Sequence, residues 1–181
     1  MNLSSIESKN YIEAHLDFLY YVGKRTGILK NSMNFTAFQN LGLKVKFQCR
    51  DRFLKNPKLL DDYLTLYFND LEPEKIKILE GFRKRISGDF VILKYLKNHA
   101  VFIDLTTSKI YLVKALNDRL DQMIPGTPKM VKATILPFMD KIIYDGFLEP
   151  YTIIIGKGIK NDLSHLYKKA KEKKELISEI K

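Results

Sequence analysis

The pattern of hydrophobic residues changes at Asp89, and this change limits the chain to folds that keep helices and strands apart. Before Asp89, apolar residues recur at helical spacing, as Leu60, Tyr63 and Leu64 do. After it, runs rich in β-branched and aromatic residues are separated by turn residues at hairpin distances. Segregated runs of this kind indicate an α+β fold, not the alternating strand–helix order of a parallel sheet.

Four helices are predicted in the first half of the chain. A capping pattern predicts the start of the first helix at Ser4, and a polar residue predicts that of the second at Asn34 or Thr36. Prolines predict the starts of the third and fourth helices, at Pro57 and Pro73. The second helix is expected to run unbroken to Phe53, because apolar residues keep to one face up to that point. The pair Ser87-Gly88 is expected to cap the fourth helix.

Five to six antiparallel strands and a final helix are predicted in the second half. The predicted strands are residues 89–97, 99–105, 109–116, 130–138, 141–147 and 151–155. A short helix is expected between the third and fourth strands, and a long one over about 161–180. The expected architecture is N-terminal helices, then a curled antiparallel sheet or small open barrel, then a C-terminal helix. Regions 1–88 and 89–181 should pack together, because no flexible linker separates them.

The chain is strongly basic, with 31 Lys and Arg against 21 Asp and Glu and a net charge of +10. This excess favours a polyanionic partner, either a nucleic acid or an acidic protein. Lysine outnumbers arginine by 25 to 6, which argues against base-specific reading because arginine makes the better bidentate contacts. The alternative interpretation is that the lysines serve only to keep the surface soluble.

Several classes of protein are excluded or disfavoured by the sequence. A single cysteine, Cys49, can form neither an internal disulfide nor a cysteine-rich zinc site. His15, His99 and His165 form no close pair, so we expect no metal and no cofactor. There is no run of about 18 apolar residues and no signal-peptide pattern. We therefore expect a cytoplasmic protein without membrane contact, and we leave a homo-oligomer open.

One segment resembles a known family. Residues 136–146 read LPFMDKIIYDG, which is similar to the LPF-x-x-KIIYDG stretch of an uncharacterised bacterial family. The similarity extends from about Phe90 to Ile159, which is under half of the chain. Some members of that family end in a cysteine-rich SEC-C metal-binding tail, whose cysteines this chain lacks. The resemblance implies a shared α+β domain and supplies no catalytic residue.

The candidate ligand-binding residues lie in three places. In the family-like segment, Lys141, Tyr144 and Asp145 offer a cation, a stacking ring and an acceptor at the mouth of the predicted barrel, although an apolar hairpin explains the same residues. Tyr95 and Lys97 share one face of the first strand, as in surfaces that bind single strands.

The third place is the turn Gly156-Lys157-Gly158-Ile159-Lys160, where Lys157 and Lys160 precede a helix. It matches neither phosphate-loop motif, and a plain strand-to-helix turn is the alternative.

Two functions from different classes follow from these features. The first is a non-enzymatic module that binds RNA or another nucleic acid. The second is a protein-interaction or regulatory module that uses the helical N-terminal region. No catalytic motif is found, since Cys49 lies on an apolar helix face and no nucleophile elbow is present.

Overall fold

The computed structural model describes residues 2–181 and has the predicted α+β fold. The chain divides into two compact units. One comprises residues 6–83 and is helical; the other comprises residues 2–5 and 84–181 and contains every strand. The first few residues belong to the second unit because the backbone of Asn2 bridges to Ala115 and Leu3 N–H donates to the Ala115 carbonyl at 2.9 Å.

The helical unit is built from five helices around an aromatic core. They are α1 (Ser5–Arg25), α2 (Phe35–Gln39), α3 (Leu43–Lys55), α4 (Lys58–Tyr67) and α5 (Pro73–Gly81). Phe18 lies at the centre of this core, with ring centroids at 4.9 Å from Phe53 and 5.4 Å from Tyr63. Aromatic rings at these distances add to the stability that burial alone gives.

Two boundaries in the helical region differ from the prediction. The expected second helix is two helices, because Asn40 ends α2 and Gly42, with extended backbone, begins α3. The predicted fourth helix is α5 of the structure, which ends at Gly81 and is followed by a 3₁₀ turn. The predicted helix cap at Ser87-Gly88 is wrong: both residues pair within a strand, and the Ser87 hydroxyl contacts that of Thr134 at 2.8 Å.

The second unit contains a five-stranded mixed sheet that closes in a ring. Its strands are β1 (Ile86–Tyr95), β2 (Ala100–Asp104), β3 (Ile110–Lys114), β4 (Lys129–Phe138) and β5 (Lys141–Pro150), and a short helix α6 (Leu120–Met123) lies between β3 and β4. The order around the ring is β1-β2-β3-β5-β4, and pairing of β1 with β4 completes it. All neighbouring pairs are antiparallel except β3 and β5, so the prediction of a wholly antiparallel sheet is wrong at that pair.

The predicted sixth strand, Tyr151–Ile155, is wrong as well. Only the Tyr151 N–H continues the sheet, donating to the Met130 carbonyl at 2.9 Å, and the residues after it adopt no strand. A strand needs an unpaired neighbouring edge. Tyr151 already lies opposite Met130, and β4 begins only one residue earlier, at Lys129, so it has almost no backbone left to pair with residues 152–155.

Helix α7 (Lys157–Glu172) covers one outer face of the sheet. Tyr167 and Ala170 of this helix pack with buried residues of the first three strands, namely Leu93, Val101, Ile103 and Ile110. The chain then returns along β3, where Ile177 bridges in parallel to Tyr111. The helix begins at Lys157, earlier than predicted, so Lys157 and Lys160 lie on the helix and not in a loop before it.

Candidate functional site

A cleft lined by lysines lies between β1 and α7. Its volume is about 470 Å³. The lining residues are Leu93, Lys94, Thr127, Lys160, Ser164, Tyr167 and Lys168. Three of the seven are lysines and none is acidic, so every charged side chain in the lining is positive.

The helical repeat of α7 explains why its lysines gather on this side. At about 100° per residue, Lys157, Lys160, Lys168 and Lys171 fall within about 80° of arc on one face. All four are exposed. We call these four residues the lysine stripe. Leu163, Leu166 and Ala170 occupy the inward face, where they pack on the sheet. Packing of the apolar face therefore orients the lysine stripe.

Lys94 of β1 faces the lysine stripe. Its ammonium lies 3.8 Å from the centroid of the Tyr167 ring. Burial lowers the pKa of Lys94, and the positive charges of Lys171 and Lys168 lower it further. The side chain is therefore a cation held in a positive field, and an anion bound in the cleft would relieve that repulsion.

A hydroxyl from α7 completes the polar lining of the cleft. Ser164 Oγ donates to the Lys160 carbonyl at 2.7 Å, which fixes the hydroxyl against the helix. Its oxygen retains capacity to accept a hydrogen bond. Chemically, the cleft offers ammonium donors to an anionic oxygen and has no nucleophile paired with a base.

Tyr95 and Lys97 line a second cavity of about 530 Å³, with Asn2, Leu96, Arg119 and Asp121. Tyr95 donates its hydroxyl to the Ile124 carbonyl at 2.6 Å, and burial raises the pKa of this phenol to about 12. Arg119 is bonded through Nε and Nη2 to the carboxylate of Asp121, at 3.0 and 2.6 Å. This cavity is larger than the lysine cleft, but the positive charge of Arg119 is neutralised by Asp121, which lines the same cavity.

Two of the three candidate residues in segment 136–146, the one that resembles the bacterial family, lie in the interior. Tyr144 and Asp145 are 3% and 1% exposed, so no ligand reaches them in this structure. The Asp145 carboxylate accepts from the Phe147 N–H at 3.0 Å, spanning Gly146, whose φ of 94° marks a bulge in β5. Lys141 is half-buried and lies 3.5 Å from Asp140. The segment forms the hairpin of β4 and β5, and ligand binding by its three candidate residues stays a prediction.

The seven predicted ligand-binding residues thus do not form one site. Lys160 lines the lysine cleft and Lys157 lies on the same helix face; Tyr95 and Lys97 share the second cavity; the other three lie on β5. The seven predicted residues did not include Lys94 or Lys168, which also line the lysine cleft. A helical repeat counted from Lys157 would have placed Lys168 with Lys160, but the position of Lys94 depends on how the sheet packs against α7.

The remaining sequence candidates contribute no visible site. His15 is buried in the helical unit, 4.8 Å from Phe82 between ring centroids, and Cys49 is fully buried. Across residues 2–181, no three His, Cys, Asp or Glu side chains are grouped as metal ligands would be. Of the helices described here, none combines the length and the apolar character needed to cross a bilayer.

The fold and the lysine cleft define an α+β protein with a cationic groove between a sheet and its covering helix. Searches against family models, curated proteins and solved structures find no match to the chain.

Proposed function

We propose that this chain is a non-enzymatic module that binds RNA or another nucleic acid at the lysine cleft. The observation that carries the proposal is the convergence of Lys94, Lys160 and Lys168 on one cleft with no carboxylate in its lining. Lysines that neutralise phosphates release condensed counterions, and this release drives binding. The lowered pKa of Lys94 supports the same idea, since its charge lacks compensation without an anion.

A cytoplasmic location fits this function and is part of the proposal, as is a shared α+β domain with the family that carries LPF-x-x-KIIYDG. We assign no catalytic residue and no cofactor.

The test measures fluorescence anisotropy of labelled single- and double-stranded oligonucleotides over a salt series. We expect affinity to fall steeply with salt, and the double variant Lys160→Gln, Lys168→Gln to bind about tenfold more weakly at constant salt. Absence of binding at about 50 mM salt, or binding indifferent to salt, would overturn the proposal.

A matched control separates the cleft from net charge. The variant Lys169→Gln, Lys173→Gln removes the same two charges from exposed positions that the helical repeat places on the other side of α7. We expect it to bind within about twofold of the parent chain, since it leaves the cleft intact. Equal losses in both double variants would show that net charge, not the cleft, determines binding.

A groove in the helical unit favours a second candidate, a protein-interaction module. It lies between α4 and α5, has a volume of about 370 Å³, and has Leu64, Phe68 and Ile76 in its lining. Asp61, Glu80 and Arg83 line it too, with Arg83 paired to Asp61. Phe68 is 59% exposed, which is unusual for a ring of its size beside other apolar residues.

The second candidate is tested by substitution of the exposed ring. Phe68→Ser should abolish co-purification of a partner or self-association measured by light scattering, while nucleic-acid affinity stays unchanged. A strictly monomeric parent chain with no co-purifying partner would contradict this candidate.

A further inference from the structure

The lysine stripe has the shape of a contact with a linear polyanion. From Lys157 to Lys171 the helix rises by about 21 Å, at 1.5 Å per residue. That length matches about six base-pair steps of a B-form duplex at 3.4 Å per step. Lys94 lies against the C-terminal half of the stripe, as the influence of Lys168 and Lys171 on its pKa shows. A row of charges, not a single deep pocket, is thus presented to the partner.

The charged groups in this row are suited to phosphates and poorly suited to bases. All five are lysines, whose ammonium is a compact point charge without the planar fork that reads guanine edges. A contact of this kind positions a strand without reading its sequence.

Aromatic side chains in the same unit are not placed to stack on bases. Among the Phe and Tyr side chains of residues 84–181, two are half-buried and the rest are buried. The two are Tyr95 and Tyr151, whose hydroxyls donate to the Ile124 carbonyl at 2.6 Å and to the Asp89 carboxylate at 2.7 Å. Tyr167, the ring in the cleft lining, is 6% exposed and has the Lys94 ammonium over its face. Sequence-tolerant binding of single strands elsewhere depends on exposed rings of the kind that these residues do not provide.

Building on the proposed function, we infer that the lysine stripe and Lys94 bind the sugar–phosphate backbone of a nucleic acid and leave the bases uncontacted. The partner is therefore recognised by its phosphate spacing and not by its sequence. Five phosphate contacts give an expected slope of about −4 to −5 in a plot of log affinity against log salt for a duplex.

The experiment compares an abasic oligodeoxynucleotide with a mixed-sequence single strand of the same length, using the full chain. We expect affinities within about threefold, because the phosphates are the same and base stacking contributes nothing. An abasic strand that binds more than about tenfold more weakly would overturn the inference while leaving nucleic-acid binding itself intact.

The salt slope on a duplex supplies the second measurement. The variant Lys160→Gln, Lys168→Gln should reduce the magnitude of the slope by about 2, and Lys169→Gln, Lys173→Gln should leave it unchanged. A parent slope shallower than about −2 would contradict the five-lysine contact. If neither of these single strands nor the duplex binds, the proposed function fails, and that outcome is distinct from failure of the backbone inference.

Discussion

The Lys94 ammonium lies 3.8 Å from the centroid of the Tyr167 ring, so a cation from strand β1 rests on an aromatic face from helix α7. Such a contact contributes about 0.5–2 kcal/mol in favour of the charged lysine. Burial and the neighbouring charges of Lys171 and Lys168 act in the opposite direction, and the net effect lowers the pKa of Lys94. The ring contact therefore favours the charged form of Lys94, while the neighbouring positive charges favour the binding of an anion beside it.

Removing the neighbouring charges should raise the pKa of Lys94. In the variant Lys168→Gln, Lys171→Gln the pKa should rise part of the way towards 10.5, because burial, the largest cause of the shift, remains. The measurement is an NMR titration of the lysine side-chain carbons. The pair Lys169→Gln, Lys173→Gln serves as control and should leave the pKa of Lys94 where it is; an equal rise in both variants would refute the assignment to specific neighbours.

The same shift has a consequence for stability with a definite sign. The folded state holds the Lys94 proton less tightly than the unfolded state, so between its lowered pKa and 10.5 the unfolded chain binds more protons. The contribution of Lys94 to the free energy of unfolding should therefore rise with pH through that window. Lys94→Met should remove this rise, which urea titrations at several pH values would detect.

The division of the fold was predictable because it depends on local patterns. Helical spacing before Asp89 and β-branched runs after it predict the order of the structure, with helices first and strands after them, although β1 begins at Ile86. The turn Met139-Asp140 between β4 and β5 and the bulge at Gly146 are likewise local features, since each depends on a few adjacent residues. The resemblance to a bacterial family stays a prediction.

What could not be predicted depends on contacts between distant parts of the chain. The β-branched run 151–155 is a good strand sequence, yet it remains outside the sheet because β4, the strand along which it would continue, begins at Lys129. The parallel pairing of β3 with β5 joins residues far apart in sequence, so no local turn signals it. For the same reason Lys94 could not be grouped with the lysines of α7, although Lys160 and Lys168 belong to one helical repeat.

Gly23 of α1 is predicted to tolerate no side chain. A Cβ built at this position would lie 2.6 Å from Leu29 Cδ1 and Cγ and 3.0 Å from Cys49 Sγ. Leu29 and Cys49 are buried and cannot move aside into solvent. Overpacking of about 1–3 kcal/mol is offset in part by a gain in helix propensity of about 1 kcal/mol, so Gly23→Ala should lower the free energy of unfolding by up to about 2 kcal/mol.

The control for this substitution is Gly42→Ala, in the same unit. No heavy atom lies within 4 Å of a Cβ at Gly42, and its φ is −62°. Gly42→Ala should lower the free energy of unfolding by less than about 1 kcal/mol, as expected for alanine at a helix N-cap. Urea denaturation of both variants decides the point, and a Gly23→Ala chain as stable as the parent would show that the contact with Leu29 relaxes at little cost.

Cys49 should be unreactive in the folded chain. Burial raises the pKa of its thiol to about 11, and the side chain is fully buried. Alkylation and disulfide exchange require the thiolate, so at about pH 8 a thiol reagent should label the folded chain at least about 100-fold more slowly than the unfolded chain. The reagent 5,5′-dithiobis-(2-nitrobenzoate), with and without denaturant, provides the measurement; immediate labelling of one thiol per folded chain would contradict the buried position.

The segment around Ile177 is predicted to hold α7 on the sheet. Ile177 N–H donates to the Ile110 carbonyl at 2.9 Å, and Leu112 N–H donates to the Ile177 carbonyl at 2.8 Å. Ile177→Pro removes the first donor and should cost about 1–3 kcal/mol, since the Ile110 carbonyl loses its partner on this side. Hydrogen exchange at the Leu112 amide should accelerate, and the loosened helix should weaken oligonucleotide binding. Glu179→Pro, at an exposed position beyond the bridge, should change neither property; if both proline variants behave alike, the pairing at Ile177 is not what holds the helix.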